Sequence, residues 1–400
     1  IINKTKENFL NKTSSKYQFN KNSITIDGRK VEISEVSNFS QANDQNINIL
    51  FTTIHGLHSK ITNPSENSIL VNGLKNTKIV LLSDEAHHIN KMTRDGNTDD
   101  ERNWEATVQK IYTANSENIM LEFTATLDLE KAEIFRKYFD KVIYKYDLKD
   151  FRLDGYSKDV FLYPSKTQSV TERMFQAVVL SQYRRKIAGK NGLNIKPVIL
   201  MKSSKIAESK ANFEAFHDLI NNLKVADLKK ITKGIEDLKA EHIMNSVFSY
   251  LETEKISLQD FVEEIKLEFS KEKCIEVNSK EESSDKQIIV NTLEDNSNPY
   301  RVIFAVDKLN EGWDVLNLFD IVRLYDKRDD RNGKAGTATL QEAQLVGRGA
   351  RYFPFQISTD QSKYKRKFDD NKNNDLRIIE QLYFYSTSDV KYIDVIRRTL

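Results

Sequence analysis

The sequence predicts an open α/β fold in two domains, and three observations predict it. Short apolar runs rich in β-branched residues recur along the chain: INILFTTI, KIVLLSD, NIMLEFTAT, KPVILM, YRVIFAVD and FDIVRLYD. Such runs suit strands of a parallel sheet covered on both faces. Segments of helical spacing separate them, and alternating strands and helices are the pattern of α/β domains. Polar residues gather where the runs end, and open sheets of this class place their sites at the C-terminal ends of their strands.

Taken in order, residues 47–54, 78–84 and 118–126 are expected strands, with DERNWEATVQKIYT as a helix between the second and third. After YKYDLKDFRLDGYSKDVFLYPSK, Gly155 and Pro164 interrupt periodic structure, which puts the domain boundary near residue 155 and gives domains of 1–155 and 156–400. The second domain opens with a long helix over about 171–188 and a strand over 196–201. Residues 205 to about 270, rich in Lys, Glu and Leu, form a helical insertion whose apolar stripes pack and whose charges meet solvent. NSKEESSDKQ is a charged loop; strands return at 300–307 and 319–326, and a helix starts at Thr339. No repeat of solenoid period is present.

Composition excludes several classes. At 400 residues, 39% hydrophobic, the chain can bury a sizeable core. No stretch has the apolar length of a membrane-spanning helix, and IINKTKENFLNKTSSK lacks the apolar centre and cleavage site of a signal peptide, so a cytoplasmic location is expected. The single cysteine, Cys274, excludes an internal disulfide and a thiolate zinc site. With 61 basic and 59 acidic residues, no global field announces a polyanionic partner. The first residue is Ile1 rather than Met, so a fragment of a longer protein is expected.

Four constellations carry chemistry. In IVLLSDEAHHIN, Asp84 and Glu85 follow a buried run. Acids there often only end a strand or cap a helix. As a catalytic pair, Asp84 would hold Mg²⁺ and Glu85, pointing the other way along the strand, would orient or deprotonate an attacking water. Of His87 and His88, one could bridge that site to a neighbouring element; otherwise both are polar surface. In EFTATLD, Thr124 and Thr126 are either ordinary strand residues or a relay at a strand tip beside the acids. In LNEGWDVLNL, Trp313 suits a packed indole, while Glu311, Gly312 and Asp314 offer contacts to a phosphate, a ribose or a DNA backbone. In QEAQLVGRGAR, Gln344, Arg348 and Arg351 fall at i, i+4 and i+7, on one helical face. Gly347 lets a backbone approach a phosphate, and the guanidinium groups suit γ-phosphate stabilisation. The plain alternative is a solvated basic stripe.

These motifs, in this order, resemble a superfamily 2 helicase motor, and more narrowly the restriction (Res) subunit of type III restriction-modification enzymes. DEAHH, TAT, NEGWDV and QLVGRGARYFPF carry the likeness, with YKYDLKDFRLDGYSKDV and the tail KRKFDDNKNNDLRIIEQLYFYS. The resemblance implies two RecA-like P-loop NTPase domains in tandem, with ATP and Mg²⁺ in the cleft between them and motion on double-stranded DNA. It assigns Asp84 and Glu85 to metal and water, His87, Gly312, Asp314, Gln344 and Gly347 to the nucleotide's surroundings, and Arg348 and Arg351 to the γ-phosphate. His88, Thr124 and Thr126 would couple hydrolysis to movement. FTTIHGLHSK resembles a DNA-contacting segment, making Thr52, Thr53 and His55 backbone contacts of the kind that fix position rather than read sequence. PVILMKSS resembles a further motif, adding Lys202 and Ser203, with Trp313, as DNA neighbours. The resemblance also implies a modification methyltransferase (Mod) partner, which brings S-adenosylmethionine.

Two departures stand out. No G-x-x-x-x-G-K-[ST] loop exists in these residues: GKNGL at 189 and GKAGT at 333 lack the spacing. Without its amides and lysine a triphosphate loses its main cradle. No nuclease domain follows the motor motifs, so the segment itself is not expected to cut DNA. The expected activity is that of an ATP-dependent translocase or helicase supporting site-specific cleavage. Two alternatives are another superfamily 2 DNA or RNA helicase, and a truncated, non-hydrolysing DNA-binding or assembly fragment.

Overall fold

Residues 24–31 open the ordered sheet structure with a signal the apolar runs do not include. Ile24–Ile26 (β1) pairs antiparallel with Arg29–Val31 (β2), and the loop is Asp27-Gly28, both at positive φ (49° and 77°). A two-residue hairpin loop needs that backbone, which Asp-Gly supplies. The computed structural model describes residues 2–14, 16–63, 71–86, 99–124, 127, 129, 132–165, 169–231, 238–278, 284–306, 313, 315–325, 330–331, 334–335 and 337–387. They fall into two units, 1–145 and 146–400.

In the first unit, Ile2–Leu10 (α1) precedes the hairpin. Ile33–Glu35 (β3) pairs in parallel with Ile47–Ile49 (β4). The expected strand over 47–54 stops at Ile49, because Thr53 turns the chain: its hydroxyl accepts the Gly56 amide at 3.0 Å and caps Ile54–Thr62 (α2). Val80–Ser83 (β5) and Ile119–Glu122 (β6) form a second parallel pair, with Asp99–Tyr112 (α3) between them in sequence and Ala132–Tyr138 (α4) after them. Buried Asn118 locks the pair to α3, accepting from the Ile79 amide at 2.7 Å and donating to the Ile111 carbonyl at 2.9 Å. The small core holds Leu74, Ile79 and Ile111. Burial on both faces, expected from the apolar runs, is not what β5 and β6 show: Val80, Leu82, Ile119 and Phe123 are each more than half exposed.

The second unit holds Leu148–Leu153 (α5), Asp159–Ser165 (β7), Val170–Lys190 (α6), Val198–Lys202 (β8), Ile206–Asn221 (α7) and Val225–Leu228 (α8). Leu238–Thr253 (α9), Leu258–Glu268 (α10), Cys274–Val277 (β9), Ser284–Asn291 (α11), Val302–Ala305 (β10) and Leu318–Arg323 (β11) follow. The small hairpin of Asp330–Arg331 (β12) and Lys334–Ala335 (β13), then Thr337–Gly349 (α12) and Gln381–Thr387 (β14), complete it. Six strands make one sheet in the order β7-β14-β11-β8-β10-β9, parallel at every pairing. Every residue of β8, β10 and β11 is buried, as a sheet covered on both faces requires. One core layer packs α6 and the helices from α7 to α10 on the sheet, and the other packs Trp313, Val315, Leu345 and Val346 on its opposite face.

Three attachments fix this frame. Ser169 and Glu172 form a capping box at the start of α6. Arg184 of α6 pairs with Asp320 of β11 at 2.6 Å, both fully buried, and Tyr385 of β14 donates to the same carboxylate at 3.2 Å. Arg366 reaches back to the carbonyls of Arg152 and Ser157 and donates its own amide to that of Gly155. That last clamp places α5 in the second unit, so the division falls before the expected residue 155. Among the described residues no helix is long and apolar enough to cross a membrane.

Candidate active site

The acidic pair sits on a turn just past β5. Ser83 ends the strand by accepting the Phe123 amide, and the Ala86 amide donates to the Phe123 carbonyl, both at 2.9 Å. Between these two anchors, Asp84 and Glu85 must bridge in two residues. Glu85 does so at φ 49°, in the left-handed region that non-glycine residues rarely occupy, and its amide donates to Asp84 Oδ1 at 3.0 Å. The expectation that the two acids alternate along a strand is therefore corrected: β5 ends at Ser83, and both acids lie on a turn, not a pleat. Asp84 is exposed and Glu85 half-buried. Half-buried Thr124 lies one residue beyond Phe123, at the tip of the paired strand β6.

Asp84 fits a hard cation. Its carboxylate is exposed and keeps lone pairs beyond the one that the Glu85 amide uses. Among the described residues no group of three His, Cys, Asp or Glu could form an all-protein cage. Magnesium requires none, being held through one or two carboxylates, waters and phosphate oxygens. His87, His88, Thr126, Glu311, Gly312 and Asp314 lie outside the described residues.

Elsewhere in the first unit, Thr52 Oγ1 donates to the Thr53 carbonyl at 3.1 Å, Thr53 is the α2 cap, and exposed His55 stands in the first turn of that helix.

In the second unit the arginines come from a helix end and the chain beyond it. Gln344 is exposed and Arg348 half-buried on α12. Arg348 donates to the Trp313 carbonyl at 3.3 Å. Arg351 is not on the helical face that its spacing predicts, because α12 ends at Gly349. It forms an antiparallel bridge with Ser157, and its Nε donates to the Arg348 carbonyl at 3.4 Å. The reason is steric: a side-chain carbon on Gly349 would lie 3.1–3.3 Å from Leu318, Ile321 and Leu382, so the helix end is pressed onto the sheet. At Gly347 the same atom would meet nothing within 4 Å. The glycine that the approach of the helix to the sheet requires is Gly349, which spacing did not single out.

Lys202, Ser203 and Trp313 are packed groups. Lys202 is buried and donates to the Val306 carbonyl; Ser203 is 1% exposed. The Trp313 indole is 4% exposed and donates to the Val290 carbonyl at 3.1 Å. A lysine that motif reading passed over, Lys158, is fully buried against the α12 end. Burial pushes its ammonium well below the ordinary lysine range, and Arg184 and Arg351 add repulsion.

Fold and site thus define an α/β protein with an acid pair on a strained strand tip and two arginines at the end of a helix beside a parallel sheet. A family model described as the type III restriction enzyme, res subunit, matches residues 1–129, and another, described as an N-terminal region, matches residues 338–400. A Haemophilus influenzae protein named a probable type III restriction-modification enzyme HindVIP Res subunit is 35% identical over 375 residues, covering 84% of this chain and 72% of that protein. The chain belongs to the family of type III restriction-modification Res subunits. Among solved structures, a fragment assigned as an HsdR subunit of a type I restriction enzyme from Vibrio vulnificus is 12% identical, with a TM-score of 0.39 over 92% of this chain and 55% of that one. S. cerevisiae Dbp5 bound to RNA and ADP BeF3 is 9% identical, with a TM-score of 0.40 over 93% of this chain and 67% of that one.

Proposed function

We propose that this chain is the motor portion of a type III restriction endonuclease, hydrolysing ATP on double-stranded DNA in support of site-specific cleavage, in partnership with a modification methyltransferase that uses S-adenosylmethionine. The observation that carries the reading is Glu85 held at φ 49° directly after Asp84, at the C-terminal end of a parallel strand. Strain of this kind persists where the surrounding structure over-determines it, and it clusters at reacting sites.

Asp84 would hold Mg²⁺, which when bound neutralises charge on the phosphate oxygens. Glu85 orients the attacking water and takes its proton. Arg348 and Arg351 face the charge that develops on the γ-phosphoryl group. Thr124, with Thr126 and His88, couples turnover to movement. Thr52, Thr53 and His55 grip the DNA backbone, where the α2 amides favour a phosphate.

In the full-length protein, Glu85→Gln should bind ATP normally and lose DNA-stimulated turnover. Near-normal hydrolysis in that variant would remove Glu85 from the mechanism. Arg351→Ala should slow hydrolysis by roughly three orders of magnitude or more; a loss of a few-fold would return the arginines to a solvated stripe. ATPase assays with and without recognition-site DNA and methyltransferase separate this reading from another superfamily 2 helicase. The missing G-x-x-x-x-G-K-[ST] signature favours a second reading for the 400 residues alone, a DNA-binding module that does not hydrolyse ATP. DNA binding without measurable nucleotide binding by this chain would support it.

A further inference from the structure

Lys158 ties the segment that carries the arginine pair to the two backbone segments beside it. It is 0% exposed, and its Nζ donates to the carbonyls of Leu316 at 2.8 Å, Leu318 at 2.9 Å and Gly349 at 2.8 Å. The ammonium thereby uses all three of its protons. Its cation also lies 4.5 Å from the centre of the Phe319 ring. Gly349 ends α12, one residue after Arg348, and its carbonyl is among those a helix cannot satisfy itself, where a cation is favoured. Leu318 starts β11 and Leu316 precedes it by two residues, just after Trp313, whose carbonyl accepts from Arg348.

The backbone of the same segment grips Arg351. The Lys158 amide donates to the Ala350 carbonyl at 2.5 Å, the Tyr352 amide donates to the Tyr156 carbonyl at 3.1 Å, and Ser157 bridges Arg351 between them. Arg366 fixes that segment from behind, donating to the Ser157 carbonyl at 2.6 Å. An apolar side chain of similar volume would fill the space but leave all three carbonyls without this donor. What a lysine adds is a fixed distance from three named carbonyls.

We propose that Lys158 is a positioning residue, its ammonium setting the place of Arg348 and Arg351 by tying the end of α12 and the start of β11 to residues 156–158. The proposal rests on the reading that these arginines serve ATP hydrolysis. It also makes a structural claim that stands without turnover.

The test is a double-mutant cycle in the full-length protein, with hydrogen exchange beside it. Lys158→Met should lower kcat by on the order of 10²-fold, the effect of a displacement of about 1 Å at reacting groups, with KM for ATP within a few-fold. In a background lacking both arginines (Arg348→Ala with Arg351→Ala) the same change should cause little further loss. In exchange, the amides of residues 158 and 352 should lose protection while those of β8 and β10 keep theirs. Near wild-type kcat in Lys158→Met, a loss that multiplies fully in the background lacking both arginines, or unchanged exchange at 158 and 352 would each overturn the proposal. If the arginine variants themselves hydrolyse normally, the role of the pair at the γ-phosphate fails, and exchange alone still judges the hold of Lys158. Should Lys158→Met not fold, Lys158→Arg keeps the cation at a different reach, and its kcat loss must likewise vanish in the background lacking both arginines.

Discussion

Glu85 shares its backbone state with only two other non-glycine residues among those described, and they differ from it in kind. Asp27 is at φ 49° in a hairpin loop and Lys255 at φ 58° beyond the end of α9, both positions where turns call for that geometry. Glu85 is strained between two strand-tip hydrogen bonds, where a left-handed residue with a side chain costs about 1–2 kcal/mol. Glycine would relieve that strain but loses about 0.4–1 kcal/mol to the greater freedom of its unfolded chain. Before any side-chain contact of Glu85 is counted, Glu85→Gly is therefore expected to leave the first unit between as stable as before and about 1.6 kcal/mol more stable, while turnover disappears. Urea unfolding beside an ATPase assay checks this. A loss above about 1 kcal/mol would mean that the carboxylate is needed for structure rather than chemistry.

At the scale of elements, α12 makes opposite predictions for two glycines only two residues apart. Gly347 has open space where a side chain would stand, so Gly347→Ala should stabilise the helix by about 0.5–1 kcal/mol. Gly349→Ala must push Leu318, Ile321 and Leu382 aside and should destabilise by about 1–3 kcal/mol. Thermal melts of the two variants must move in opposite directions. The contrast shows what was legible in the letters. Apolar runs announce β8, β10 and β11 because the interior of a covered sheet has no other composition. Arg351 could not be placed by counting, since the helix stops where Gly349 meets the sheet, a contact made with Leu318, Ile321 and Leu382, from 28 to 33 positions away in sequence. The strand β14 was hidden behind KRKFDDNKNND, and β4 was overread because Thr52 and Thr53 suit a strand as well as a helix cap. Lys158 was unreadable, since a lysine before an apolar run says nothing of three carbonyls that meet it only in the fold.

The two units differ in what holds each of them, and the chain carries its own reporters of the difference. The described core of the first unit is small, and one face of its β5–β6 pair leaves Val80, Leu82, Ile119 and Phe123 more than half exposed. The second unit has two core layers around six strands. Stability follows buried apolar area, and chains of more than one unit commonly unfold in more than one step. The two tryptophans divide evenly, Trp104 on α3 of the first unit and Trp313 buried in the second. The single cysteine, Cys274, is buried at the start of β9, and burial pushes its thiol up to about 12. At pH 8 it is thus protonated as well as covered, and alkylation must wait for the second unit to open. In a urea series, Trp313→Phe should report an early transition through Trp104. Trp104→Phe should report a later one through Trp313, and Cys274 labelling should rise with the later. Coincident midpoints for both tryptophans would show one cooperative molecule, and labelling at the earlier midpoint would place the weak point in the sheet of the second unit.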